Sequence, residues 1–365
     1  MINSNILSLM TDDPPGTLAL DSLTVRLGGF TLGPVSLDLP AGALCAVVGP
    51  SGAGKSALLQ AVAGLVPAAS GGLLLDGRDL TALTPEARGI ALVPQHYALF
   101  PHLSVLENVA FGLRARGIQA RRARDEARAA LERLEIGHLA DRRPATLSGG
   151  ERQRTAIARA VVLRTRLLLL DEPFAALDPV TRAVSIEELA ALHARLGLTV
   201  ILVTHRPDEA ELLGTHVAVI VGGELAAFGE AAQVFADPPC DRVARALGLE
   251  NLVPAGSVPG FPGRGPWYVP ASTVRVRAGT AWPVPDGRRG FDGVVDRVQR
   301  TGPLVRVRIR GDGLLITGYP GDGGRVPRPG EAASALVDPA TIRELPAGGP
   351  APATPAAPGR PVRRA

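Results

Sequence analysis

Between residues 20 and 240 the chain alternates two hydrophobic textures. Short apolar runs with no polar alternation occur at Ala43–Val48, Ile90–Val93, Leu167–Leu170, Val200–Val203 and Val217–Val221. Such runs read as strands buried on both faces. Helical stretches lie among them: Lys55–Gly64, Arg121–Leu134, Gly149–Val162 and Thr181–Leu196. Strands alternating with helices predict an α/β domain on a largely parallel sheet. After about Glu250 the texture changes. Glycine and proline crowd the stretch from Pro254 to Pro266, and short β-patterned runs follow at Thr273–Arg277, Gly293–Val298, Val305–Ile309 and Leu314–Thr317. That spacing predicts a small β-barrel or sandwich.

Composition refines this picture without changing it. Apolar residues make up 46% of the chain and charged residues 20%, as in folded globular proteins. No apolar run approaches the roughly 18–20 residues that a membrane-spanning helix needs. The first residues, 1–17, have neither a basic segment nor a long apolar core, and read as a flexible leader rather than a secretion signal. Residues 346–365 are rich in Pro, Ala and Gly and read as a disordered tail. Two cysteines, Cys45 and Cys240, make neither a disulfide framework nor a zinc site, which suits a reduced, cytosolic protein. The net charge of +4 is modest, and the terminal Arg360, Arg363 and Arg364 read as a solvated tail, so no nucleic-acid partner is expected.

The chemistry concentrates in three places. Gly49-Pro50-Ser51-Gly52-Ala53-Gly54-Lys55-Ser56 matches the phosphate-cradling pattern G-x-x-x-x-G-K-[ST], preceded by an apolar strand and followed by a helix that opens with Ala57. Glycines let backbone N–H groups approach phosphate, and the helix N-terminus adds its positive dipole end. Lys55 is then expected to neutralise β/γ-phosphate charge and Ser56 to ligate Mg²⁺. The second place is the run Leu167–Leu170, which ends in Asp171 and Glu172. Asp171 is expected to position Mg²⁺, directly or through water, and Glu172 to act as the general base that polarises the attacking water. The third is Leu147-Ser148-Gly149-Gly150-Glu151-Arg152-Gln153-Arg154, which opens a helix with small residues and free N–H groups suited to a terminal phosphate.

With this third motif the chain resembles the ATP-binding subunits of ABC transporters, over about residues 20–248. The resemblance implies a phosphate-loop ATPase domain at 18–248, with a helical subdomain at about 96–160. It also implies ATP and Mg²⁺ as ligands, and a homodimer in which Ser148, Gly149 and Gly150 grip the nucleotide held by the other copy. Gln95 sits where the family places a Mg²⁺-sensing glutamine that also contacts the membrane subunit, and Ala176-Leu177-Asp178 matches a loop at the dimer interface. His205 matches the switch histidine that contacts the γ-phosphate. Two positions depart from the family. Leu27 stands where an adenine-stacking aromatic is usual, with Phe30 nearby as a substitute, and Arg206 follows His205 where Asp is common.

Residues 249–345 resemble the small all-β, TOBE-like barrel domain of importer ATPases, through Asn251-Leu252, Val269–Val274 and the stretch from Pro329 to Thr341. The stretches Leu27–Leu32 and Leu134–Arg142 look closest to molybdate/tungstate importers; importers of ferric iron, sulfate, polyamines or sugars are the alternatives. The resemblance implies transmembrane permease subunits as partners, a substrate-binding protein acting through them, and a peripheral place on the cytoplasmic face of the inner membrane. The rival from another class is a soluble ABC ATPase acting on nucleic acid or ribosomes. Those proteins usually carry coiled-coil insertions or two fused cassettes, and neither pattern occurs here. A third possibility is that residues 251–345 form an oxyanion sensor.

Overall fold

The computed structural model describes residues 16–254, 266–279, 289–301, 304–311, 313–321 and 325–346. Most of the expected leader, nearly all of the expected tail and most of the Gly/Pro-dense stretch after Pro254 lie outside the described residues. The chain divides into two compact units, Met1–Ala232 and Gln233–Ala365.

In the first unit, β1 (Leu18–Leu27), β2 (Phe30–Leu39), β4 (Ser70–Leu75) and β5 (Arg78–Asp79) form an antiparallel sheet in the order β2-β1-β4-β5. The second sheet uses β3 (Leu44–Val48), β6 (Ile90–Val93), β7 (Leu167–Asp171), β8 (Thr199–Val203), β9 (His216–Val221) and β10 (Glu224–Glu230), in the order β10-β9-β3-β8-β7-β6. Its five strands from β9 to β6 pair in parallel and β10 closes one edge antiparallel. The largely parallel sheet is as the sequence predicts. The separate antiparallel sheet is an addition, because its strands alternate polar and apolar residues as one-faced sheets do.

Helix α1 (Lys55–Ala63) packs against β1 as well as β7 and β8. It is buried nearly all round, and its sequence, Lys-Ser-Ala-Leu-Leu-Gln-Ala-Val-Ala, lacks a polar face for that reason. Arg88 secures its far end. This guanidinium is 6% exposed and donates to the carbonyls of Ala61 (2.7 Å), Val62 (2.9 Å), Leu83 (3.0 Å) and Thr81 (3.0 Å). Arg88→Met would leave those acceptors without their charged donor. It is expected to lower stability by about 3 kcal/mol, read by denaturant unfolding.

Helices α2 (Val105–Ala115), α3 (Ala120–Arg133) and α4 (Gly149–Val161) pack on one another, and α5 (Pro179–Leu196) and α6 (Pro207–Leu213) flank β8 in the chain.

The second unit begins within α7 (Ala231–Ala236) and continues through α8 (Asp241–Ala246). Strands β11 (Leu252–Val253), β12 (Trp267–Tyr268) and β18 (Arg343–Glu344) form a small sheet. Strands β13 (Arg275–Ala278), β14 (Arg289–Thr301), β15 (Leu304–Gly311), β16 (Leu314–Pro320) and β17 (Ala332–Val337) close into a barrel. Of the two expected architectures, barrel and sandwich, this is the barrel. Val295, Val307 and Ile309 fill its interior while Arg306 and Arg310 face out, which is the period-two pattern of a closed sheet. Asn251 braces it: the buried side chain donates to the Thr317 carbonyl (2.7 Å) and accepts from the Thr317 amide (2.6 Å).

Candidate functional site

The parallel sheet collects the predicted residues at one edge. In a parallel sheet all strands end on the same side, and loops there can converge. β3 runs into the Gly49–Ser56 loop, β7 ends at Asp171, β8 ends just before Thr204 and His205, and β6 ends two residues before Gln95. Because β8 lies between β3 and β7, His205 emerges between the phosphate loop and Glu172.

The loop is shaped by its glycines. Gly49 has φ 153°, and a Cβ there would collide with the Ile220 carbonyl of β9. Gly54 caps α1 in a left-handed conformation (φ 105°), where a Cβ would lie 2.9 Å from the Phe30 ring. Lys55 is 6% exposed, and its Nζ donates to the carbonyls of Gly49 (2.8 Å) and Pro50 (2.9 Å). Two of its three donors are thus used within the loop, and the third suits a phosphate oxygen. Burial pulls the Lys55 pKa below the ordinary lysine range, opposed by the charges of Glu172 and Asp171.

Ser56 Oγ donates to Asp171 Oδ1 at 3.3 Å, joining the start of α1 to the end of β7. Burial raises the Asp171 pKa; the Ser56 bond opposes this, Glu172 adds to it and Lys55 opposes it. A hydroxyl and a carboxylate of this kind are hard oxygen donors, the type that suits Mg²⁺ when phosphates and water complete the shell. Among the described residues no cluster of three or more His, Cys, Asp or Glu forms a self-sufficient metal site. Glu172 has φ 44°, and its amide donates to the Val203 carbonyl of β8 (3.0 Å). Its Oε2 lies 3.3 Å from His205 Nδ1. Gln95 is exposed beyond β6, next to the strand that carries Asp171.

Ser148, Gly149 and Gly150 begin α4. Ser148 Oγ accepts from the Glu151 amide (3.3 Å) and the Ser148 amide donates to Glu151 Oε2 (2.7 Å), a reciprocal cap. A Cβ on Gly149 would collide with Leu177 Cδ2, so the loop at 176–178 rests on the glycine itself. Asp178 caps α5, accepting from the amides of Val180 and Thr181 (3.1 Å each); its carboxylate is held below the usual range, by the Thr181 hydroxyl first. The structure thus gives Asp178 a local helix-capping job.

Of the two departures, Phe30 is half-buried against the phosphate loop, while Leu27, its partner across the β1–β2 hairpin, is 39% exposed. Arg206 turns to its own helix, pairing with Asp208 (2.6 Å) and Glu209 (3.5 Å). Sequence reading missed Glu209, which is 3% exposed and accepts from Thr204 Oγ1 at 2.6 Å, and missed Tyr97 and Arg159 altogether. Nothing in the spacing of Tyr97 or Arg159 marks them, since their partners are distant in sequence, and the local Thr204–Glu209 pair belongs to no motif.

A strand–loop–helix phosphate cradle with a lysine inside it, facing a strand that ends in Asp-Glu, defines a nucleoside triphosphatase of the phosphate-loop class. Comparison with known proteins narrows this. The ABC transporter family model matches residues 32–175. A molybdate/tungstate import ATP-binding protein of Pyrococcus horikoshii is 43% identical over 236 residues, 65% of this chain and 68% of its own. One of Pyrococcus abyssi is 37% identical over 314 residues, 83% of this chain and 91% of its own. In structure the chain is similar to cbiO1 of Clostridium perfringens, part of the ABC transporter complex cbiONQ. The TM-score is 0.55 at 30% identity, covering 62% of this chain and 92% of the other. The chain belongs to the ABC transporter family as an ATP-binding import subunit. It is an ATPase whose hydrolysis is coupled to transport. Among the described residues no helix is long and apolar enough to cross a membrane.

Proposed function

We propose that this chain powers the import of molybdate or tungstate, as a homodimer that closes around two Mg·ATP. The observation that carries the cargo is likeness to molybdate/tungstate import relatives, one of which is aligned over 83% of the chain and therefore into the β-domain. The site supports the chemistry. The backbone from Gly49 to Ala57 cradles the phosphates, Lys55 neutralises charge on them, and Leu27 offers the base an exposed apolar face. Ser148, Gly149 and Gly150 of the other copy present an open helix N-terminus to the γ-phosphate. Ser56, Asp171 and Gln95 would hold Mg²⁺, which when bound draws charge from the phosphates. Glu172 orients and deprotonates the attacking water, and His205, 3.3 Å from it, keeps that carboxylate beside the γ-phosphate. Positioning and charge neutralisation supply most of the acceleration, as in phosphoryl transfer generally. Closure passes through the Gln95 loop to permease subunits at the cytoplasmic face of the membrane, which receive cargo from a separate substrate-binding protein. The loop around Asp178 lies at the dimer interface.

Cells carrying Lys55→Ala in place of the native protein test the cargo. Grown with each element limiting and analysed by elemental mass spectrometry, they are expected to lose molybdenum or tungsten selectively. A fall in iron alone would reassign the cargo to ferric ion, and unchanged metals would point to an organic cargo.

A further inference from the structure

The loop after β6 holds two adjacent non-glycine residues in the left-handed region, Tyr97 (φ 59°) and Ala98 (φ 46°). Such residues are strained and persist only where their surroundings hold them. Three hydrogen bonds do so. Arg159, on α4, donates Nη1 to the Ala98 carbonyl (2.7 Å) and Nη2 to the Tyr97 carbonyl (2.8 Å). The Tyr97 hydroxyl donates to the Pro173 carbonyl (2.8 Å), and the Tyr97 side chain is 5% exposed. The Arg159 guanidinium also sits 5.5 Å over the Phe100 ring. Pro173 directly follows Glu172, which is itself left-handed (φ 44°). Burial pushes the Tyr97 phenol up, so it remains a donor at neutral pH.

These contacts connect the two ends of the catalytic machinery. α4 begins with Ser148 as its cap and runs unbroken to Val161, so Arg159 moves with the signature residues as one body, about 15 Å along the same rod. From Arg159 the path crosses two carbonyls, one phenol ring and the Pro173 carbonyl, and arrives at the turn that aims Glu172. We propose that Tyr97 and Arg159 are positioning residues that tie the aim of Glu172 to the placement of α4. A subunit's hydrolytic carboxylate then responds to whether its own signature end, Ser148–Gly150, is seated on a nucleotide. The inference rests on the roles proposed above for Glu172 and Ser148.

The test uses the full-length chain, with Tyr97→Phe, Arg159→Lys and the double variant. Readouts are steady-state phosphate release, affinity for a fluorescent ATP analogue and melting temperature. Tyr97→Phe removes one hydroxyl at constant volume, and Arg159→Lys keeps the charge but loses the two-pronged grip. Each is expected to lower kcat about tenfold with KM and nucleotide affinity unchanged, because a misplaced base costs turnover rather than binding. The double variant is expected to be no worse than the poorer single one, since both residues lie on one path. Unchanged kcat in Tyr97→Phe, additive losses in the double variant, or a parallel fall in affinity and melting temperature would each overturn the proposal. Glu172→Gln is the control. If it keeps turnover, the role of Glu172 itself fails; if it loses turnover while Tyr97→Phe does not, the clamp alone fails.

Discussion

Glu172→Gln is expected to release phosphate at least about a hundredfold more slowly than the native chain while still binding ATP. Glutamine keeps the shape and can still accept a hydrogen bond from water, but it cannot take the proton. Its backbone anchor, the bond from the residue 172 amide to Val203, is untouched. The carboxylate that His205 faces at 3.3 Å becomes a neutral amide. With hydrolysis stopped, the ATP-bound state accumulates. Light scattering with ATP is therefore expected to show a lasting dimer for the variant and a transient one for the native chain. A variant that stays monomeric with ATP and turns over normally would remove Glu172 from its assigned role.

Lys55→Met is the second large effect, and it acts on binding. The ammonium is the buried cation inside the phosphate loop, and bonds from a charged donor to phosphate are the strong kind. Its loss is expected to weaken ATP affinity about a hundredfold, measured with a fluorescent analogue. Without nucleotide the same substitution has a different signature. The native pKa of Lys55 lies below the ordinary 10.5, chiefly through burial. Between that lowered value and 10.5 the unfolded chain binds more protons than the folded one. The burial penalty is therefore fully present below the native pKa, and native stability rises with pH through the window. Lys55→Met lacks this titration, so its stability is expected to change less with pH across that alkaline window, as followed by chemical denaturation. An identical pH dependence in both proteins would show that Lys55 is not desolvated in the fold.

Much of the site was legible because its signals are local. A phosphate loop is eight consecutive residues between a strand and a helix, and each of those pieces has its own pattern. Asp171 and Glu172 announce themselves by ending an apolar run, and Ser148 by capping a helix. The strand pattern alone left barrel and sandwich open, because closure depends on β13 finding both β16 and β17, and it was the resemblance to a TOBE-like barrel that chose between them. The antiparallel sheet over α1 was not foreseen, although the polarity of α1 carried a trace of it in the missing polar face.

The sequence by itself singled out the candidates for binding phosphate and activating water, since those roles depend on residue type within a few consecutive positions. Only the tertiary structure decided how they meet. Strand order is set by which apolar faces pack together, and it inserts β8 between β3 and β7 so that His205 stands beside Glu172. Long-range packing likewise brings the Tyr97 hydroxyl to Pro173, 76 residues away in the chain, and the Arg159 guanidinium to the strained loop at 97–98. A buried hydrogen bond between distant residues leaves no periodicity or spacing to read. It exists because an unpaired polar group in the interior, such as the Tyr97 hydroxyl, is costly.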